Sequence, residues 1–155
     1  MAALDAAMLW LSQWGILVPV FCVLLTRDKK AIVKALLSFA VAYVLTDVLK
    51  GVVARARPFA VGDAQLIGSQ PADEWSFPSK HASLSFSLAT SAGLARRVHG
   101  YVALIFAALI SYSRVYLGVH YWSDIIAGAV LGTVVAFGVD CAFERFGKRG
   151  KRKRK

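Results

Sequence analysis

The sequence predicts an all-α integral membrane bundle of about five transmembrane helices, with the N-terminus outside and the C-terminus in the cytoplasm. Three observations carry this. Apolar residues make up 57% of the 155-residue chain, above the roughly 45–50% of a soluble domain. They gather into five runs, each near the roughly 20 residues that cross about 30 Å of hydrocarbon. The cations are also distributed very unevenly among the connections.

The first run covers about residues 4–26. No Lys or Arg precedes Arg27, so the basic segment of a signal peptide is missing and the run is read as a retained helix. The second covers about residues 31–53 and leads into a long outer loop, residues 54–78. Nineteen residues separate Pro58 from Pro78, among them Gly62, Gly68, Ser69 and Pro71; loops beyond about 12–15 residues are usually functional or disordered. The third run, about 79–95, is short and rich in Ser and Thr, as expected of the most protein-buried span. The fourth covers about 98–117 and the fifth about 121–143. In the fifth, Gly128 and Gly132 permit close helix contact, within the bundle or in a homodimer. Trp75, Phe77, Tyr116, Tyr121 and Trp122 fit an interfacial aromatic belt at the outer face.

Residues 1–147 thus form a single transmembrane domain and residues 148–155 a basic cytoplasmic tail. Net charge is +10, which alone would suit nucleic acid as well as a membrane. The tail directly follows a span and has no interleaved aromatics, so anionic lipid headgroups are its expected partner and nucleic acid is not. Short loops rich in Lys and Arg stay cytoplasmic. Fourteen of the nineteen cations sit at one face: Arg27, Lys29, Lys30, Lys34, Arg96, Arg97, Arg145 and the tail. The other five, Lys50, Arg55, Arg57, Lys80 and Arg114, fall at the opposite, outer face. Cys22 and Cys141 lie apart in apolar stretches and read as buried small hydrophobes.

Ionisable residues at span ends are costly and mark function. Three groups stand out. Lys50 and Arg57 are seven residues apart, which on a continuous helix puts them about 20° apart on one face; Pro58 disfavours helix at Arg57 and makes that angle approximate. The bland alternative is snorkelling, with Asp47 pairing Lys50. In the second group, Pro78, Ser79, Lys80 and His81 begin the third span. Free N–H groups at a helix start suit a phosphate oxygen, Ser79 can cap or donate, and His81 can act as an acid near neutrality. The third group is Ser113, Arg114, His120 and Asp124. Asp124 lies one turn from His120 if the segment is helical, so its carboxylate can hold one imidazole nitrogen and leave the other free to attack. Arg114 offers a fork for phosphate. His99 is expected in a cytoplasmic loop. Asp63, Asp73 and Glu74, in the long loop, make no convincing metal site, so neither metal nor cofactor is expected.

Together these residues resemble the signature of the type 2 phosphatidic acid phosphatase superfamily: Lys-x6-Arg-Pro at Lys50 to Pro58, Pro-Ser-Gly-His at Pro78 to His81, and Ser-Arg-x5-His-x3-Asp at Ser113 to Asp124. The resemblance covers residues 50–124 and departs at one position, where Lys80 replaces the glycine. It implies that Lys50, Arg57, Ser79 and Arg114 bind the phosphoryl group and that His120 becomes a phosphohistidine oriented by Asp124. His81 then protonates the leaving oxygen, and no metal is required. Lys80 is a candidate contact for a second phosphate. The family usually has six helices; five are counted here. The implied activity is hydrolysis of a lipid phosphate or diphosphate at the outer face of the plasma membrane, with undecaprenyl diphosphate favoured. Phosphatidic acid, phosphatidylglycerol phosphate or another phospholipid is the alternative, and a small anion-binding transporter the alternative of another class. The absence of inverted repeats and broken helices argues against transport.

Overall fold

A computed structural model describes the chain over residues 2–152, and its side chains over residues 2–145. It has six helices: α1 (Ala2–Trp14), α2 (Leu17–Leu25), α3 (Lys29–Val53), α4 (Lys80–Ala95), α5 (Arg97–Tyr116) and α6 (Trp122–Arg152). A single 3-10 turn, Pro58–Ala60, lies between α3 and α4. There is no strand among the described residues.

The spans differ from the expected five. Helices α3, α5 and α6 are each long and apolar enough to cross a membrane, whereas α1 and α2 qualify only as a pair bent by 49°. Pro19 causes the bend. It has no N–H to donate to the Gly15 carbonyl four residues back, and its ring crowds that carbonyl. Val18 N–H donates to Gly15 instead, at 3.1 Å. Ile110 of α5 fills the notch, and a Cβ at Gly15 would lie 2.7 Å from it. Helix α4, with 16 residues, rises only about 24 Å, short of the hydrocarbon thickness.

That short helix is the centre of the bundle, in contact with α2, α3, α5 and α6. Ser83, Ser85, Ser87, Leu88, Ala89 and Ala92 are all buried along it. Small residues let its neighbours approach. A Cβ on Gly132 would sit 2.0 Å from the Ser83 carbonyl, and one on Gly128 2.6 Å from the Ser79 carbonyl, so this pair packs α6 onto α4 inside the bundle. Two serines return their hydroxyls to the helix, Ser85 to the His81 carbonyl at 2.7 Å and Ser87 to the Leu84 carbonyl at 2.9 Å.

At the end of the bundle away from the long loop, Lys34 of α3 pairs with Asp140 at 2.8 Å and Glu144 at 2.9 Å on α6. Arg96 and Arg97 are at the same end, where α4 passes into α5. His99 is in the first turn of α5 rather than in a loop, because that connection is a single residue. Cys22 is buried as expected, but Cys141 is exposed on α6. The backbone of α6 continues through Arg152, so the helix runs into the stretch read as a tail; the side chains expected to meet headgroups lie outside the described residues.

Gly132→Ala is expected to lower stability by about 1–3 kcal/mol, since the added methyl must push two helix backbones apart. Gly138, on the same helix with open space around it, provides the control. Gly138→Ala should be neutral or slightly stabilising, because Ala is the better helix former. Thermal unfolding of both variants in detergent checks the contrast.

Candidate active site

The loop end of the bundle brings together the C-terminal ends of α3 and α5 and the first turns of α4 and α6. Lys50, in the last turn of α3, is buried at 4% exposure. The helix ends on Ala54, in the left-handed region at φ 46. Arg57 is extended (φ −79, ψ 151), as the following Pro58 requires. The shared helix face expected for Lys50 and Arg57 therefore does not exist, and a turn of the chain brings them together. Arg57, 2% exposed, donates through Nη1 to the Val119 carbonyl at 2.9 Å and through Nε to the Asp73 carbonyl at 3.1 Å.

One carboxylate of the long loop joins the two cations. Asp73 Oδ1 is 2.7 Å from Arg57 Nη2 and Asp73 Oδ2 is 2.9 Å from Lys50 Nζ. Lys50 also donates to the Trp75 carbonyl. Asp47 does not pair with Lys50. It takes Lys80 at 2.6 Å, and the ammonium lies over the Tyr43 ring at 4.5 Å. Lys80, expected to reach a second phosphate, thus leans on α3, although it is close enough to Asp73 to feel its charge.

Ser79 caps α4, its Oγ accepting from Ala82 N–H at 3.5 Å, and its own N–H donates to the Asp124 carbonyl at 3.0 Å. This bond locks the start of α4, where His81 sits, to the start of α6. Ser113 is spent inside α5, donating to the Ile110 carbonyl at 2.7 Å. Arg114 donates through Nη1 to Ser12 of α1, while its buried Nε has no partner.

His120 precedes α6 rather than lying in it, yet its Nδ1 is 3.4 Å from Asp124 Oδ2. Asp124 is fully buried. It also accepts from Tyr121 N–H at 2.9 Å and from Arg55 Nη1 at 3.0 Å. Arg55 continues to Ser123 Oγ at 2.6 Å and lies 3.9 Å above the Tyr121 ring. Nothing in the sequence marked Arg55 beyond its place among the five outer cations. Its position two residues before Arg57 was the available signal.

Burial pushes the His120 imidazole down to about 4, against the weaker pull of Asp124, so it is neutral at neutral pH with one nitrogen held and the other free. For Asp73 burial acts upward, but Lys50 and Arg57 outweigh it and hold the carboxyl below its ordinary range. His120 also feels the charges of Arg57, Arg114 and Lys50. A cavity of about 410 Å³ reaches Arg114 and Val119, the residue before His120, and is walled also by His81, by Ser12 and Gln13 of α1, and by Ser69 and Gln70 of the loop. Chemically, this is a neutral imidazole aimed by a carboxylate, ringed by cations able to neutralise an oxyanion, with a second imidazole at the cavity wall. Among the described residues no group of three or more His, Cys, Asp or Glu could hold a metal ion.

Residues 31–148 match the model of a family described as the PAP2 superfamily. An undecaprenyl-diphosphatase of Sulfolobus acidocaldarius is 38% identical over 143 residues, which cover 88% of this chain and 69% of that protein. The crystal structure of Aquifex aeolicus LpxE is similar with a TM-score of 0.75 at 26% identity, over 90% of this chain and 86% of that one. A PAP2-type phosphatidylglycerolphosphate phosphatase from Bacillus subtilis shares the fold, with a TM-score of 0.71 at 24% identity over 94% of this chain and 79% of that one. Helices α1 and α2 precede the matched family region.

Gly118, two residues before His120, has φ +73, and a Cβ there would lie 2.4 Å from the Gln65 carbonyl. Its own carbonyl accepts from Phe59 N–H at 3.3 Å. Gly118→Ala is expected to destabilise the protein by about 1–3 kcal/mol through backbone strain, read as a lower unfolding midpoint in detergent.

Proposed function

The chain belongs to the PAP2 superfamily of membrane phosphatases, and we propose that it hydrolyses a lipid diphosphate, undecaprenyl diphosphate in the leading reading, to the lipid monophosphate. The observation that carries this is the placing of His120 against Asp124, within the field of Lys50, Arg57 and Arg114 at one end of the bundle. Phosphoryl transfer asks a protein chiefly for positioning and charge stabilisation, and this arrangement supplies both. The free imidazole nitrogen of His120 attacks the terminal phosphorus, forming an N–P bond as the bond to the leaving oxygen breaks. Lys50, Arg57 and Arg114, with the capped start of α4 at Ser79, hold the phosphoryl oxygens. His81 gives its proton to the leaving oxygen. Asp124 stabilises the imidazolium that develops on His120. Water then cleaves the phosphohistidine, releasing phosphate, and no step requires a metal.

Two findings favour a diphosphate over an acylglycerol phosphate. One is the undecaprenyl-diphosphatase relative, similar along most of this chain. The other is the lining of the cavity beside His81. Ser12, Gln13, Gln70 and the uncommitted Nε of Arg114 are donors suited to a leaving group that is itself a phosphate. Lys80, paired with Asp47, is given no phosphate in this reading. The charge asymmetry supports an active site at the outer face of the plasma membrane: Lys34, Arg96 and Arg97 lie at the end opposite the site, and cation-rich connections stay cytoplasmic.

Purified protein in detergent, with chelator present, is expected to release phosphate from undecaprenyl diphosphate faster than from phosphatidic acid. His120→Ala should abolish release and the acid-labile phosphoprotein that trapping reveals; release that persists in His120→Ala would defeat the mechanism. Arg55→Ala, which strips one partner from Asp124, is expected to lower turnover by about 10²-fold, the scale of a small misplacement at a reacting group. A cysteine placed at residue 150 should resist impermeant maleimide in intact cells and react after lysis; labelling without lysis would invert the topology.

A further inference from the structure

We infer that Asp73 is the resident anion of the phosphate cradle, a built-in competitor that the substrate phosphoryl group must displace. The inference rests on the reading that Lys50 and Arg57 take that group. Both cations are almost fully buried, and each turns to a different oxygen of the one Asp73 carboxylate, at 2.9 and 2.7 Å. Two carboxylate oxygens present the same forked acceptor that two phosphoryl oxygens would present. A phosphate cannot take those donors while Asp73 keeps them, and the two anions side by side would repel.

The loop is built to release this contact locally. Ser76 is buried and fastened, its N–H donating to the Arg55 carbonyl at 2.8 Å and its hydroxyl reaching the Arg55 and Ala56 carbonyls at 3.2 and 3.1 Å. On the other side, Ile67 N–H donates to the Leu117 carbonyl at 3.2 Å. Between these anchors, the polar contacts of Asp73 and Trp75 are made to Lys50 and Arg57 themselves. Asp73 keeps 40% of its side chain exposed, so it has a way out into water. The same segment contributes Ser69, Gln70 and Pro71 to the cavity wall beside His81 and Arg114. Displacing Asp73 therefore vacates the cradle and loosens one wall of the cavity in a single movement.

A cradle that Asp73 fills about nine-tenths of the time binds phosphate about tenfold more weakly than an open one. The probe is inorganic phosphate, the product that returns to the same donors, used as a competitive inhibitor of lipid diphosphate hydrolysis. Asp73→Asn and Asp73→Ala should each lower its inhibition constant, and the substrate KM, by about tenfold, with kcat changing less. An inhibition constant that stays put or rises in both variants overturns the proposal, because Asp73 would then only brace the loop. Lys50→Ala separates the two layers. If it binds phosphate as the wild type does, the cradle reading itself fails; if it binds more weakly while the Asp73 variants show no gain, only displacement fails. A spin label at Ala72→Cys, with Cys22 and Cys141 changed to Ser, keeps Asp73 in place and covers the case of a variant that misfolds. Saturating phosphate should sharpen its spectrum, and an unchanged spectrum would count against release.

Discussion

Two buried cations at the end of an apolar bundle set the terms for the rest of this structure. Lys50 and Arg57 are removed from water, and unpaired buried charge is among the most destabilising things a fold can contain. Their partners must therefore come from protein. The long loop supplies them, and that requirement explains why it folds back over the helix ends instead of trailing into solvent. Its carbonyls at Asp73 and Trp75, its Asp73 carboxylate and the Val119 carbonyl all turn inward. The loop is ordered by the charges it covers.

The same logic governs the other carboxylate. Asp124 is fully enclosed and accepts from His120, the Tyr121 amide and Arg55 at once. With three donors around it, its two oxygens have fixed directions, and so has the imidazole. Helix α4 completes the frame. Its cap is bonded to the Asp124 carbonyl, and two glycines let α6 lie against its backbone. His81 thus stands on a helix whose start and flank are both set by α6, the element carrying Asp124.

The all-helical class, the central position of α4 and the gathering of Lys50, Arg57, His81, Arg114, His120 and Asp124 at one end were legible in the sequence. The class and the place of α4 follow from hydropathy, and the gathering follows from the charge pattern and the three-part motif, since the helical spacing expected for Lys50 and Arg57 is broken at Ala54. What was not legible depends on partners far apart in the chain. The bend at Pro19 was hidden inside a uniformly apolar run, where hydropathy sees length but not a missing N–H. The placing of Lys80 on Asp47 turns on which side of α4 meets α3. Arg55 gains its role only because the chain reverses at Ala54 and carries it to Asp124. Asp73 has cations as its partners, Lys50 and Arg57, which lie 23 and 16 residues away and share no local spacing with it.

Arg57 is fastened to the carbonyl of Val119, and Val119 is the residue before His120. Arg57 and the backbone that carries His120 therefore form one mechanical part. Retuning Arg57 also shifts the aim of His120, so this half of the pocket has little freedom to diverge. Arg114 is braced instead by Ser12, on a helix that lies before the matched family region and carries neither histidine. Ser12 and Gln13 of α1 also line the cavity, so a change on α1 reaches its wall and, through Ser12, Arg114, while the contact between His120 and Asp124 is made without α1.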